Sequence, residues 1–352
     1  MEGFAMPAAT AVVFDLGGTH LRCACLTREH ELVNLTQGRI RSFREGLSPS
    51  AIWDELLNKI VSYVSSSSSL VEGLAPLAIS FPGPLREDGR IVNAPTVTGS
   101  EEQIPDIRAE LSRRTGRDVY ILNDISAAAL YLARQSPWER FMVITISSGI
   151  GSKICFRSSD KSSDKSPGKL TLFDKGPYAG EIGHLSVDES ETAPVCDCGG
   201  KGHLGAIASG RGIELLARRK ASADSATFSR SLCHLEFGAT AKTLNNESHL
   251  VPSIRKRDAW ALNVLEEGCR PLSQVLNAIV LALGLQGIFI IGGFAFSVGP
   301  TYPELLYRLL QLRNDYSPLV FSPDMVKLGE LGEHACLRGA AEYALMAQNG
   351  RM

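Results

Sequence analysis

Two stretches of the chain, DLGGTHLR at residues 15 to 22 and TISSGIGSK at residues 145 to 153, follow one plan. In each, an apolar strand runs into a turn of glycine and small residues and leaves as a second strand. Such a turn reverses the chain at glycine, where the absence of a side chain lets several main-chain N–H groups face one point. The two stretches lie about 130 residues apart, counted from Asp15 to Thr145, and each opens a run of alternating strand-like and helix-like segments. AVVFDLG (11 to 17), LRCACLT (21 to 27) and ELVNLTQG (31 to 38) read as strands. PSAIWDELLNKIVSYV (49 to 64) reads as a helix, with Pro49 in the first turn, where its missing N–H matters little. LAISFPG (77 to 83), DVYILND (118 to 124), RFMVITISSG (140 to 149) and GIFIIGG (287 to 293) are further strands, each stopped by Gly, Pro or Asn-Asp. The alternation predicts an α/β architecture, in which functional groups gather at strand ends. At 352 residues the chain exceeds the usual single core, so two lobes are expected.

Three segments break the pattern. SSSSS (65 to 69) and RSSDKSSDKSPGK (157 to 169) are too polar to order themselves by burial, and predict flexible surface insertions. The stretch from Asp258 to Gln286 is apolar at helical spacing but interrupted by Gly268 and Pro271, which predicts two core helices. Charge excludes other classes: 36 basic against 38 acidic residues, a net −2 and no basic block, leave no nucleic-acid footprint. No run approaches the roughly 20 apolar residues of a membrane span, and the first residues lack the order of a signal peptide. The expectation is a soluble, cytoplasmic protein with neither membrane nor nucleic acid as partner. Its eight cysteines do not form a secreted disulfide framework and are expected to be reduced.

The chemistry sits at the turns. Asp15, delivered by a strand to Gly17, Gly18 and Thr19, can hold Mg²⁺ through water while the turn's N–H groups approach a phosphate. Ser148 and the N–H groups near Gly149 and Gly151 offer a second phosphate face. Either turn alone is equally an ordinary hairpin; together they suggest a duplicated clamp on the phosphates of ATP. FIIGGFAFSVG, with Gly292 and Gly293, would form an adenosine-side wall, and neither GxxxxGK[ST] nor GxGxxG occurs. In VYILNDISAAAL, Asp124 reads either as the cap of the following helix or as a base accepting the proton of a substrate hydroxyl whose oxygen attacks the γ-phosphate. CDCGGKGHLG (196 to 205) concentrates ligand-type side chains among glycines, and is either a metal knuckle or a metal-free glycine turn.

Taken in order, DLGGTHLR, ISFPGPL, GRIVNAP, ILNDISAAAL, ISSGIG, AGEIGH, CDCGGKGH with ASGRGI, and IIGG resemble the ROK group of sugar kinases and repressors over essentially the whole chain. The resemblance implies a two-lobed actin/hexokinase-type (ribonuclease H-like) ATPase fold with an interlobe cleft. The N-terminal lobe would span 8–124, completed by a C-terminal helix at 334–350. The C-terminal lobe would span 125–333 and carry a zinc knuckle at 184–203. ATP and Mg²⁺ are implied, with Asp124 as base. Asn123, Glu181 and His184 would hold the sugar, beside Asn93 and Thr96. His184, Cys196, Cys198 and His203 would hold a structural Zn²⁺. The family usually has Cys where His203 stands; histidine is a sound tetrahedral ligand, and four ligands leave no open position. Dimers are common in the family, so a homodimer is expected.

Three departures carry information. Family glucokinases and N-acylhexosamine kinases usually place a sugar-binding Glu two residues after the last zinc ligand; here that position is Gly205. Losing such a charge-assisted contact typically costs about 1.5–3 kcal/mol for a ligand that uses it. Thr96 stands where the family often has Asn, and Phe294 where a third Gly is common. Retained phosphoryl transfer with an altered acceptor is therefore expected. The acceptor is an unusual sugar or a C7-cyclitol, which keeps a primary hydroxyl but lacks the ring oxygen and anomeric centre, or else a plain hexose bound through other groups. A non-catalytic sugar sensor is a further alternative. ROK repressors carry a helix-turn-helix domain before the DLGGT strand, here preceded by MEGFAMPAAT, and Asp124 argues for catalysis.

Overall fold

The computed structural model describes residues 9–17, 20–41, 43–94, 97–99, 104–158, 170–173, 176, 178–313, 322–332 and 334–348. They fall into two compact units, one within 1–137, 157–179 and 331–352 and the other within 138–156 and 180–330. No helix among the described residues is long and apolar enough to cross a membrane.

The first unit is built on β1 (Ala9–Leu16), β2 (His20–Thr27), β3 (Leu32–Arg39), β4 (Leu77–Phe81) and β5 (Val119–Asn123), in the order β3-β2-β1-β4-β5. β1 runs antiparallel to β2 and parallel to β4, which is parallel to β5. Val12, Phe14 and Leu16 face one core with Ile52, Leu56 and Ile60 of the helix Pro49–Ser66. Ala11 and Val13 face another with Leu337, Ala340 and Ala344 of the helix Ala335–Gln348. Both faces of β1 are covered, which is why it reads as an unbroken apolar run. The helix Pro49–Ser66 starts where Ser48 Oγ accepts from the Ala51 N–H at 3.3 Å, with proline at the first position.

The serine tract is not a flexible insertion. It continues that helix to Ser66 and forms a 3₁₀ turn at Ser68–Leu70. Ser65 and Ser66 return their hydroxyls to the carbonyls of Val61 and Tyr63, both at 3.0 Å. Buried Ser67 accepts from the Asn34 amide at 2.9 Å. Local side-chain bonds to backbone thus hold a stretch that has no apolar surface to bury.

The second sheet comprises β6 (Arg140–Ile146), β7 (Ile150–Arg157), β8 (Leu170–Phe173), β9 (Gly287–Ile291) and β10 (Val326–Leu328), in the order β10-β9-β6-β7-β8. Read from β8, this repeats the strand arrangement of the first sheet: an antiparallel β6–β7 hairpin, then β9 and β10 parallel to the hairpin's first strand. Residues 159–169 of the Ser-Asp-Lys segment between β7 and β8 lie outside the described residues.

The sequence predicts two helices between Asp258 and Gln286, but one helix, Ala259–Leu283, runs through both Gly268 and Pro271. Asp258 caps it, accepting from the Ala261 N–H at 2.9 Å, and Gly284 ends it in the left-handed conformation. Tertiary packing overrides the breakers. Gly268 lies against Ile213, where an added Cβ would come within 2.7 Å of Cγ1. Pro271 withdraws the N–H that the Glu267 carbonyl would accept, and the turn is tied to its surroundings by Arg313 Nη2, which donates to the Arg270 carbonyl at 3.0 Å.

Candidate active site

In the first unit, parallel strand ends gather three motifs. Asp15 pairs in register with Ser80 on β4 and with Arg22 on β2. Arg22 Nη1 donates to Asp15 Oδ2 at 2.9 Å. The turn beyond closes through the Gly17 N–H and the His20 carbonyl, 2.8 Å apart; Gly18 and Thr19 lie outside the described residues. At the end of β5, Asn123 Oδ1 accepts from the Ile125 N–H at 2.9 Å, and its Nδ2 donates to the Gly83 carbonyl at 3.0 Å. Asn123 is therefore the N-cap of the helix Asp124–Gln135, and Asp124 Oδ1 shares the same Ile125 N–H at 2.8 Å. Asp124 is the first helical residue, half-buried, with its carboxylate at the positive end of the helix dipole.

Gly83 also touches the Asn93 backbone, its hypothetical Cβ falling 2.7 Å from the Asn93 carbonyl oxygen. Asn93, Gly83 and Asn123 are thus contiguous, whereas Thr96 lies outside the described residues. Cys336, unnoticed in the sequence, completes this cluster with Sγ 3.8 Å from the Asp124 carbonyl. Burial pushes its thiol up to about 12, and the charges of Asp15 and Asp124 add to the shift. A lone cysteine inside an alanine-rich helical pattern gives no sequence signal of such a position.

In the second unit, the β6–β7 turn occupies residues 147–149, closed by the Ser147 N–H donating to the Gly149 carbonyl at 3.0 Å. Gly292, at φ 103°, presses against β6; a Cβ there would lie 2.6 Å from the Ile146 carbonyl oxygen. The short helix Gly293–Val298 follows. Beside this turn lies a cavity of about 730 Å³, whose lining includes Ser147, Ser148 and Gly293 together with Asn246, Val251 and Pro252. That size suits a nucleotide-sized ligand. Gly151 lies within β7, opposite Thr145, and shapes the hairpin rather than the tip of the turn. Phe294 fills space that glycine opens: a Cβ on Gly210 would fall 2.8 Å from its ring. Its ring meets that of Tyr302 edge-on at 6.1 Å. The Asn246 part of the lining carries no sequence signal, because Asn246–Leu250 form a π-helical turn, which has no apolar period.

The AGEIGH segment is threaded along β7 by its glycines. The Ser152 N–H donates to the Gly180 carbonyl at 2.8 Å, and a Cβ on Gly183 would lie 2.2 Å from the Ile150 carbonyl oxygen. Glu181 precedes the 3₁₀ turn Ile182–His184, so the two side chains share one side, with His184 Nε2 3.9 Å from Glu181 Oε2. The other nitrogen of that ring, Nδ1, lies 3.8 Å from Cys196 Sγ, and Cys198 Sγ lies 3.2 Å from His203 Nδ1.

The ligand atoms of His184, Cys196, Cys198 and His203 all lie within 4.8 Å of one another. Zinc bound at about 2.3 Å to sulfur and about 2.0–2.1 Å to nitrogen holds tetrahedral ligands roughly 3.3–3.8 Å apart, so this donor set fits the ion. Burial pushes the Cys196 thiol up, with the neighbouring Cys198 adding, and a cation between the two would favour both thiolates. Gly200 makes room for the His203 ring, since a Cβ there would approach Nε2 to 2.5 Å. Gly205, on the helix Leu204–Ala208, packs on Gly183: an added Cβ would lie 3.1 Å from the Gly183 carbonyl oxygen.

The sequence model of the ROK family matches residues 11–347. The chain is 32% identical over 352 aligned residues to a C(7)-cyclitol 7-kinase of Streptomyces hygroscopicus subsp. jinggangensis, covering 98% of this chain and 96% of that one. It is 28% identical to an N-acetylmannosamine kinase of Escherichia coli, covering 96% and 98% respectively. Among solved structures, a ROK hexokinase from Thermus thermophilus matches with a TM-score of 0.71 at 23% identity, covering 97% of this chain and 99% of that one. The two repeated sheets belong to the actin/hexokinase-type fold.

Proposed function

We propose, from the premise that this chain belongs to the ROK family, that it phosphorylates the primary hydroxyl of a C7-cyclitol or a similarly unusual sugar in preference to glucose. The chain is a carbohydrate-type phosphotransferase of that family. The observation that carries the acceptor reading is Gly205. A side chain at 205 would crowd the Gly183 backbone, between the two residues of the AGEIGH pair. The carboxylate that would meet the anomeric side of a hexose is missing, and a side chain in its place would press on the Gly183 carbonyl oxygen. A cyclitol has no anomeric centre and does not need it. The similarity to a C(7)-cyclitol 7-kinase over nearly the whole chain supports the same reading.

In this reading Asn93, Asn123, Glu181 and His184 bind the acceptor, with Thr96 as a further contact. Asn123 keeps one amide hydrogen and one oxygen lone pair beyond its bonds to Gly83 and Ile125. Asp124 takes the proton of the primary hydroxyl as that oxygen bonds to the γ-phosphorus of ATP and ADP leaves. The turns carrying Gly17, Gly18 and Thr19, and Ser148, Gly149 and Gly151, face the phosphates, and Gly292 and Gly293 back the nucleotide. Mg²⁺ would neutralise phosphate charge. Asp15 Oδ2 is taken by Arg22, leaving Oδ1 for a metal-bound water. His184, Cys196, Cys198 and His203 would hold a structural Zn²⁺ that fixes the loop presenting Glu181. A cytoplasmic homodimer is part of the proposal.

The test is product analysis. Incubation with Mg-ATP and a C7-cyclitol, followed by phosphorus–proton correlation, is expected to place the ester on the exocyclic carbon. An ester on a ring carbon, or no product from any cyclitol while hexoses react, would overturn the acceptor assignment.

A further inference from the structure

A residue lining the cavity beside the β6–β7 turn carries a buried polar atom that its surroundings leave unused. Asn246 is fixed on the cavity wall from two sides: its backbone N–H donates to Glu214 Oε2 at 2.8 Å, and its Nδ2 donates to the Gly210 carbonyl at 2.7 Å. Gly210 is itself tied to the phosphate-side turn, its N–H donating to the Ser147 carbonyl at 2.8 Å. Glu214 is held in turn by Arg218 Nη2 at 2.7 Å. After these bonds the Asn246 Oδ1 is buried with no hydrogen-bond partner among the described residues. A shielded amide oxygen without a donor is costly, and natural structures retain few of them. Asn246 also opens the π-helical turn Asn246–Leu250, a rare geometry found mostly at functional positions.

We propose that Asn246 selects the base of the phosphoryl donor, its Oδ1 accepting a hydrogen bond from the exocyclic amine of adenine. The inference rests on the reading of this cavity as the nucleotide site. Ser147 and Ser148 lie at the phosphate end, while Val251, Pro252 and Phe294 supply apolar surface for a flat ring. A guanine base would set its 6-oxo group against the amide oxygen, acceptor against acceptor. Purine without a 6-substituent would leave Oδ1 as it is in the free protein.

The measurement is calorimetric binding of the non-hydrolysable triphosphates of adenosine, guanosine and purine riboside to wild type, Asn246→Leu and Asn246→Asp. Wild type is expected to favour the adenosine compound by about tenfold or more over each of the others. In Asn246→Leu the three affinities should converge, with the loss falling on the adenosine compound. Asn246→Asp, which keeps an acceptor on the wall, should retain the adenine preference at lower overall affinity. An equal loss of all three in Asn246→Leu, or a wild type indifferent to the 6-amino group, would overturn the proposal and leave the nucleotide site standing. The wild-type comparison decides even if Asn246→Leu does not fold. A wild type that binds none of the three would overturn the nucleotide reading and this inference with it.

Discussion

Asp124 opens a helix whose N-cap is its neighbour Asn123, and its Oδ1 shares the Ile125 N–H with that cap at 2.8 Å, an acceptor that asparagine keeps. Asp124→Asn should therefore lower turnover by about 10²–10⁴-fold while leaving ATP-analogue affinity and melting temperature close to wild type; an active variant would remove Asp124 from the role of base. Cys336 gives a test of the cluster's burial. In the folded chain its thiol is held up from 9.0 to about 12. Below pH 9 both folded and unfolded chains keep the proton; above it the unfolded chain releases first, so stability falls as pH rises toward 12. Cys336→Ser, which does not titrate there, should show a shallower drop in melting temperature between about pH 8 and about pH 10. Residue types and spacing singled out Asp15, Asp124 and the Cys/His knuckle in the sequence, and the structure brings the four knuckle residues together and sets both aspartates near Cys336. The capping role of Asn123 was not legible, because Asn and Asp are near-equal caps that here share the Ile125 N–H, and only the extended backbone of Asn123 decides between them. Cys336 was not, because it lies 212 positions from Asp124 and no local pattern encodes that contact.

The strands were legible as elements because both faces of β1, β4, β6 and β9 are covered, leaving unbroken apolar runs closed by glycine or Asn-Asp. Elements shaped by their neighbours were not. The helix Ala259–Leu283 survives Pro271 because its apolar face is packed along its whole length, and the serine tract is held by hydroxyl-to-carbonyl bonds that composition does not reveal. Close helix packing also sets a test. The helix Ala335–Gln348 crosses Asp124–Gln135 at Gly339, where an added Cβ would fall 1.8 Å from the Ala127 carbonyl oxygen. Backbone cannot yield as a side-chain tip does, so Gly339→Ala should destabilise the protein by about 1–3 kcal/mol. Chemical denaturation reads this directly, and an unchanged midpoint would show that the two helices separate freely. The same variant should lose activity, because the helix that moves carries Cys336 against Asp124.

Over the whole molecule, one strand arrangement occurs twice, and the signal for it was the repeated glycine turn at Asp15 and at Ser148. The Cys/His cluster belongs to the second unit, where His184 of the AGEIGH loop meets Cys196, Cys198 and His203. Cys196→Ser should release zinc, read by elemental analysis of the purified protein. It should also raise the acceptor KM by about tenfold or more, with a smaller change in KM for ATP. Equal zinc content in the two proteins would contradict the four-ligand site. The acceptor preference remains the central claim, and it is tested most directly by one ratio: kcat/KM for a C7-cyclitol against kcat/KM for glucose, both with Mg-ATP and detected as released ADP. A ratio above about ten is expected from a site lacking the anomeric-side carboxylate; a ratio at or below one would show that Gly205 does not exclude glucose and that the protein is an ordinary hexose kinase.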